Sequence, residues 1–168
     1  MSTAVLSIGS NQGDALAHLR SAVAAFSEWL VAVSPVGQTP PWGPVPQDDY
    51  LNAILLVEDD AAEPLTWLAR AQAAEQAAGR VREVRWGPRT LDVDVVTVAT
   101  ESSAEVVSAD PALTLPHPRA AERAFVLVPW LAADPAATLG GRPLAELIAA
   151  LPEDEVAGIT PRPELALA

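Results

Sequence analysis

The chain has 168 residues, half of them hydrophobic, which suits one compact domain with its own core. It contains no cysteine, which excludes disulfides and thiolate metal sites, and no lysine, which excludes a P-loop. Its formal net charge of -12 disfavours nonspecific binding to nucleic acid or to an anionic membrane.

Residues 3–8 alternate and predict a first strand, followed by a turn at Gly9, Ser10 and Asn11. The surrounding IGSNQGD is too short for a dinucleotide fingerprint and reads as a strand-to-helix connection. A helix is predicted from Asp14, with Leu16, Leu19, Val23, Phe26 and Leu30 on one face. A second strand is predicted over 31–39, a proline-rich loop over 40–49, and a third strand over 50–57. Pro64 marks the start of a second helix that Gly79 ends. Residues 80–89 are polar and irregular, and the valine-rich 91–99 predicts a fourth strand. An edge hairpin within 100–116 and short helices over 122–132 and 142–151 complete the pattern. The order is β-α-β-β-α-β, which predicts an α+β, ferredoxin-like antiparallel sheet with helices on one face plus C-terminal additions. Residues 1–152 are expected to form the functional domain and 153–168 a loosely ordered tail. The first residues lack a basic n-region, and no segment reaches the roughly 20 apolar residues that span a bilayer, so a soluble cytoplasmic protein is expected.

All ten basic residues are arginines, and six of them crowd into two stretches: Arg80, Arg82, Arg85 and Arg89, then Arg119 and Arg123. In an acidic protein this clustering suits either a small polyanion, whose phosphate oxygens fit the planar guanidinium fork, or ion pairs with neighbouring acids. Between the clusters stands RWGPRTLDVDVV, residues 85–96. Alternation in a strand puts Asp92 and Asp94 on one side and Leu91, Val93 and Val95 on the other. Two positions span about 6.6 Å. Carboxylates bent to within about 5 Å would repel by roughly 3 kcal/mol at an effective dielectric near 20. Either arginines such as Arg85 or Arg89, or a divalent cation held through oxygen, must offset this. Magnesium takes one or two carboxylates plus substrate phosphates, and a pair of ions about 3.5–4 Å apart fits the same spacing.

Two further stretches flank this doublet. LPHPRAAERAFVLVPW sets His117 between prolines that stiffen its backbone, followed by Arg119, Arg123 and Phe125. A neutral imidazole there donates to a phosphate or ribose oxygen, or is simply solvated. TPPWGPVPQDDYLNAILL sets Trp42 and Tyr50 around a rigid loop, with Asn52 on the strand face of Tyr50. An amide offers both donor and acceptor to a flat heterocycle, whereas core packing would account for Tyr50 equally well.

The ensemble IGSNQGD, QTPPWGP, YLNA, GRVR, RWGPRTLDVD and LPHPR-AAERAFVL, in this order and covering about residues 7–129, resembles the 6-hydroxymethyl-7,8-dihydropterin pyrophosphokinase family. The resemblance implies a ferredoxin-like fold and transfer of pyrophosphate from ATP to the hydroxymethyl group of 6-hydroxymethyl-7,8-dihydropterin, giving the pterin diphosphate and AMP in folate biosynthesis. By resemblance, Asp92 and Asp94 bind two magnesium ions, and Arg82 and Arg89 share the catalytic role. ATP contacts fall on Gln72, Glu75, Arg82, Arg85, Trp86, Arg89, Val95, Thr114, His117 and Arg123. The pterin stacks between Tyr50 and Phe125 and is read by Thr39, Pro40, Trp42, Gly43 and Asn52. The family's pattern departs here at Trp42, where an aliphatic residue is common, and at Ala112, where some members carry a base. Small-molecule substrates are the implied partners, with no nucleic acid, no membrane and a monomeric state. A ferredoxin-like module that binds a nucleotide without chemistry is the alternative; it needs the arginines but not two metal-positioning carboxylates.

Overall fold

The computed structural model describes residues 1–41, 43–79 and 90–167. Strand β1 (Ser2–Ser10) leads into helix α1 (Ala15–Ala25), which Asp14 caps by accepting from the Ala17 N–H at 3.0 Å. The second predicted strand is split into β2 (Leu30–Val33) and β3 (Gly37–Thr39). Pro35 has no N–H to give a ladder, so the chain steps off its neighbour there. Ser34 fills the gap: its N–H donates to the Ile54 carbonyl at 2.9 Å and its Oγ accepts from the Ile54 N–H at 2.8 Å.

Strand β4 (Tyr50–Asp59) and helix α2 (Pro64–Ala77) follow, the helix opened by Pro64 and by reciprocal capping between Glu63 and Thr66. After β5 (Asp92–Thr100) come the hairpin β6 (Ser108–Asp110) and β7 (Leu113–Leu115), then α3 (Ala124–Ala133). The helix predicted over 142–151 is shorter than expected: β8 (Thr138–Leu139) pairs with β9 (Arg142–Pro143), and α4 spans Leu144–Ala149. Residues after Pro152, expected as a loose tail, form α5 (Glu153–Ala157) and β10 (Thr160–Pro161).

The main sheet is antiparallel throughout. β1 lies between β4 and β5, β4 pairs on its other side with β2 and β3, and β10 adds to the far edge of β3. Register decides what each face carries. Ala4, Leu6 and Ile8 stand opposite Val57, Leu55 and Ala53, and with Val93 and Val95 they pack against Leu19, Phe26, Trp67 and Ala71 of the first two helices and the turn after α1. The other face presents Ile54 and Val96, which α3 and α4 cover with Val126, Leu127, Trp130, Leu144 and Leu147. Helices therefore lie on both faces rather than one. The strip of Ile54 and Val96 is apolar, and only a second layer takes it out of water.

Trp67 anchors the end of the first layer farthest from Asp92. It is 0% exposed, and its Nε1–H donates at 2.9 Å to Ser2 Oγ, which donates at 2.7 Å to the Ala62 carbonyl. Trp67→Ala is expected to lower stability by about 3–5 kcal/mol, read from the urea unfolding midpoint. Trp67→Phe, which keeps most of the volume and loses the indole donor, should cost clearly less.

Candidate active site

Strand alternation places the acidic doublet. Leu91, Val93 and Val95 turn into the α1–α2 core, so Asp92 and Asp94 face the α3 side, half-buried. β5 is the sheet edge at this end, and Glu75 of α2 fixes it from the side. The Glu75 carboxylate, 4% exposed, accepts from the Val93 N–H at 3.0 Å, midway between the two aspartates. Ser10 Oγ donates to the Thr90 carbonyl and ties the end of β1 to the approach to β5.

Across β1 the same face continues toward β4. Gly9 is paired with Asp92 on one side and with Asn52 on the other, so the three form one row across three strands. At a strand spacing of about 4.8 Å, the backbones of Asn52 and Asp92 stand about 10 Å apart with a bare glycine between them. The bareness is required. A Cβ on Gly9 would sit 3.0 Å from Asn52 Oδ1 and 3.6 Å from Tyr50 Cδ1. Asn52 is oriented by its Nδ2, which donates to Thr39 Oγ1 at 2.8 Å. Asn11 holds the loop that follows β3: its Nδ2 donates to Gln47 Oε1 at 2.8 Å and to the Asp48 carbonyl at 2.9 Å.

The opposite wall descends from a bulge in β5. The β1 register steps from Leu6 opposite Val95 to Val5 opposite Thr97, which leaves Val96 as the extra residue. The Val96 side chain enters the α3 cluster, while its carbonyl accepts from the His117 N–H at 2.8 Å. The His117 loop is thereby docked beside the aspartates. His117 Nδ1 accepts from the Arg119 N–H at 3.2 Å, so the neutral ring carries its proton on Nε2 as a donor. Burial holds this imidazole below its ordinary value of 6.5, and the Arg123 and Arg119 cations act in the same direction against an opposing pull from Asp92. Arg123 Nη1 lies 3.9 Å from Asp94 Oδ2, and its guanidinium lies 5.5 Å from the Phe125 ring centroid.

The sign of the pH effect follows. Above pH 6.5 the ring is neutral folded or unfolded. As pH falls through 6.5 the unfolded chain takes a proton that the folded chain resists, so this contribution to stability is lost on acidification toward the folded value. The denaturant midpoint of the ligand-free protein should fall more between pH 7.5 and 5.5 than that of His117→Gln; equal slopes would contradict it.

The structure gathers Asp92, Asp94, His117 and Arg123 at one end of this face, and Thr39, Pro40, Tyr50, Asn52 and Phe125 at the other. Thr39, Pro40 and Phe125 line a cavity of about 340 Å³, together with Asp154, Glu155, Gly158 and Ile159 of the C-terminal segment. Gln72 lies exposed on α2, Gly43 sits at positive φ in the loop after β3, and Thr114 Oγ1 donates to the Asp110 carbonyl at 3.2 Å. The Val95 side chain is 5% exposed within the α1–α2 core and points away from the site face, as alternation along the strand predicts. Trp42, Arg82, Arg85, Trp86 and Arg89 lie outside the described residues. Gly9 was missed in the sequence, where it reads as the first residue of a turn. The signal was a glycine at the end of a strand pattern, which marks a close approach to the backbone as readily as a bend.

Two carboxylates on one open face are hard oxygen donors suited to magnesium, whose remaining positions would be filled by phosphate oxygens and water. Beside them stand a guanidinium and an imidazole donor suited to anionic oxygens.

A family model described as 7,8-dihydro-6-hydroxymethylpterin-pyrophosphokinase (HPPK) matches residues 5–135. A curated 2-amino-4-hydroxy-6-hydroxymethyldihydropteridine pyrophosphokinase of Mycobacterium tuberculosis is 52% identical over 159 residues, covering 90% of this chain and 85% of that protein. One of the same name from Methylorubrum extorquens is 41% identical over 155 residues, covering 90% of this chain and 94% of its own. Among solved structures, wild-type HPPK-DHPS of Plasmodium falciparum superposes with a TM-score of 0.64 at 13% identity, over 88% of this chain and 44% of that one. At that identity the likeness speaks for the fold alone, and this chain spans less than half of that protein. No helix among the described residues is long and apolar enough to cross a membrane. With its matched segment, its half-identical relatives and its shared architecture, the chain belongs to the 7,8-dihydro-6-hydroxymethylpterin-pyrophosphokinase family.

Proposed function

We infer that the chain transfers the terminal pyrophosphoryl group of ATP to the hydroxymethyl oxygen of 6-hydroxymethyl-7,8-dihydropterin, releasing AMP, as a step of folate biosynthesis. Beyond family membership, the observation that carries this is the row Asn52–Gly9–Asp92. It offers a flat heterocycle an amide at one end, a bare backbone beneath, and the acidic doublet where a substituent of that ring would end.

In this reaction an oxygen–phosphorus bond forms to the β-phosphorus, and the bond from that phosphorus to the α–β bridging oxygen breaks. That oxygen leaves on AMP, and the hydroxyl proton is released. Asp92 and Asp94 would hold magnesium, two ions in this proposal. Bound there, magnesium would screen the triphosphate and acidify a coordinated hydroxyl. The chain's own groups supply position and charge, which such transfers need more than covalent help. His117 Nε2–H and the Arg123 guanidinium donate to phosphate oxygens, and Glu75 keeps β5 in place through the Val93 N–H. Tyr50 and Phe125 sandwich the pterin while Asn52, oriented by Thr39, pairs with its edge; Pro40 and Gly43 lie in the loop around it, and by family resemblance Trp42 also reads the pterin. By family resemblance, Arg82, Arg85, Trp86 and Arg89 close on the nucleotide, with Gln72 and Thr114 at its periphery and Val95 contributing through its backbone. The antiparallel order β5-β1-β4-β3 supports classing the fold as ferredoxin-like. We also propose a monomer in the cytoplasm.

A coupled assay for AMP with hydroxymethyldihydropterin, ATP and magnesium tests the activity. Pterin-dependent AMP release is expected; nucleotide binding without AMP would favour the non-catalytic module instead.

A further inference from the structure

The segment after α4 is not used by the chemistry, yet it reaches the substrate end of the site. β3 is only three residues long, and it carries Thr39, the acceptor that orients Asn52. A strand so short gains little from its own pairing with β4. On its other side Thr160 and Pro161 pair with Gln38 and Gly37, and the Arg162 N–H donates to the Val36 carbonyl at 3.0 Å. Ile159 Cγ2 lies 3.1 Å from where a Cβ on Gly37 would stand, so the segment packs directly on the β3 backbone.

Side chains extend this contact into the loop. The Arg162 Nη1–H donates to Gln38 Oε1, and Gln38 Nε2 donates to Asp49 Oδ2 at 3.0 Å. The two partners fix which way the Gln38 amide faces. They also join the strand before the proline-rich loop to the residue that ends it, immediately before Tyr50. Farther along, Arg20 Nη2 donates to the Ala166 carbonyl at 3.1 Å, and Leu165 and Leu167 pack against the core, so the segment is held at both ends. Asp154, Glu155, Gly158 and Ile159 meanwhile wall the cavity whose other side is Thr39, Pro40 and Phe125.

We propose that residues 153–167 act as a strap that sets the pterin side of the site, with Arg162 and Gln38 as positioning residues that hold β3 and the two ends of its loop in register with Tyr50 and Asn52. This deepens the pterin reading of the same site and rests on it. The strap's contacts fall on β3, the residue that ends its loop and the cavity wall, so its effect falls on pterin recognition rather than on ATP.

The test separates the two substrates. Arg162→Ala should raise the KM for hydroxymethyldihydropterin about fivefold or more, because Gln38 loses its charge-assisted hydrogen bond, while KM for ATP stays within twofold. Arg162→Lys should recover part of the loss, because the charge can still reach Gln38. An unchanged pterin KM, or a parallel rise for both substrates, would overturn the strap. Should Arg162→Ala fail to fold, Gln38→Ala keeps the backbone pairing and is read by the same criteria. Absence of AMP formation by the unaltered protein would instead sink the pterin reading itself.

Discussion

Asp92→Ala and Asp94→Ala are each expected to lower kcat by about 1,000-fold or more, the range seen when one preorganised electrostatic group is removed from a transition state. The folded protein should survive the change. Both side chains are half-buried and lie outside both hydrophobic clusters, so truncation opens no cavity in the core. Unfolding midpoints should therefore shift by roughly 1 kcal/mol or less. Asp→Asn at either position keeps the shape and removes the charge, so a comparable loss there would assign the effect to charge rather than to packing. A folded Asp92→Ala variant with near-normal turnover would reduce the doublet to a solvated strand face.

Gly9→Val should sharply weaken pterin binding while leaving ATP affinity within a fewfold. The first atom added to Gly9 would already stand 3.0 Å from Asn52 Oδ1, and the branched methyls would occupy the surface between Asn52 and Asp92. Loss of the amide pairing and of one stacking surface amounts to about 2–3 kcal/mol, or roughly 30–150-fold in Kd. Titration of a pterin in the presence of a nonhydrolysable ATP analogue measures it. Gly9→Ala should fall between, because Asn52 can yield by only a few tenths of an ångström while Thr39 holds its amide at 2.8 Å.

The alternating signal along residues 91–95 was enough to put the aspartates on the face opposite Val93, because each residue's side is fixed by its neighbour. Element order through β5 was legible for the same reason, and Pro64 and Asp14 mark helix starts by local chemistry. What escaped depends on distant partners. The break at Pro35 is tolerated only because Ser34 finds both backbone groups of Ile54. The extra residue at Val96 cannot be told from its valine neighbours, since a bulge is defined by the strand beside it. β10 has two residues and no periodicity, and its place is set by Gly37 and Gln38, more than a hundred positions earlier. Glu75, an ATP contact by resemblance, shows its hold on the Val93 N–H only once α2 is laid against β5.

The irregularity at Val96 also limits how this strand can vary in length. Upstream of it, even-numbered side chains look toward the α3 side and odd ones inward; downstream, Val98 looks inward instead. Removing that single amino acid would restore uniform pleating and force a choice. Either Val98 would leave the interior, or both acids would be driven into grease. The carbonyl that moors the imidazole loop would vanish with it. Exchange of Val96 for another aliphatic residue should therefore be harmless, whereas its excision should be ruinous.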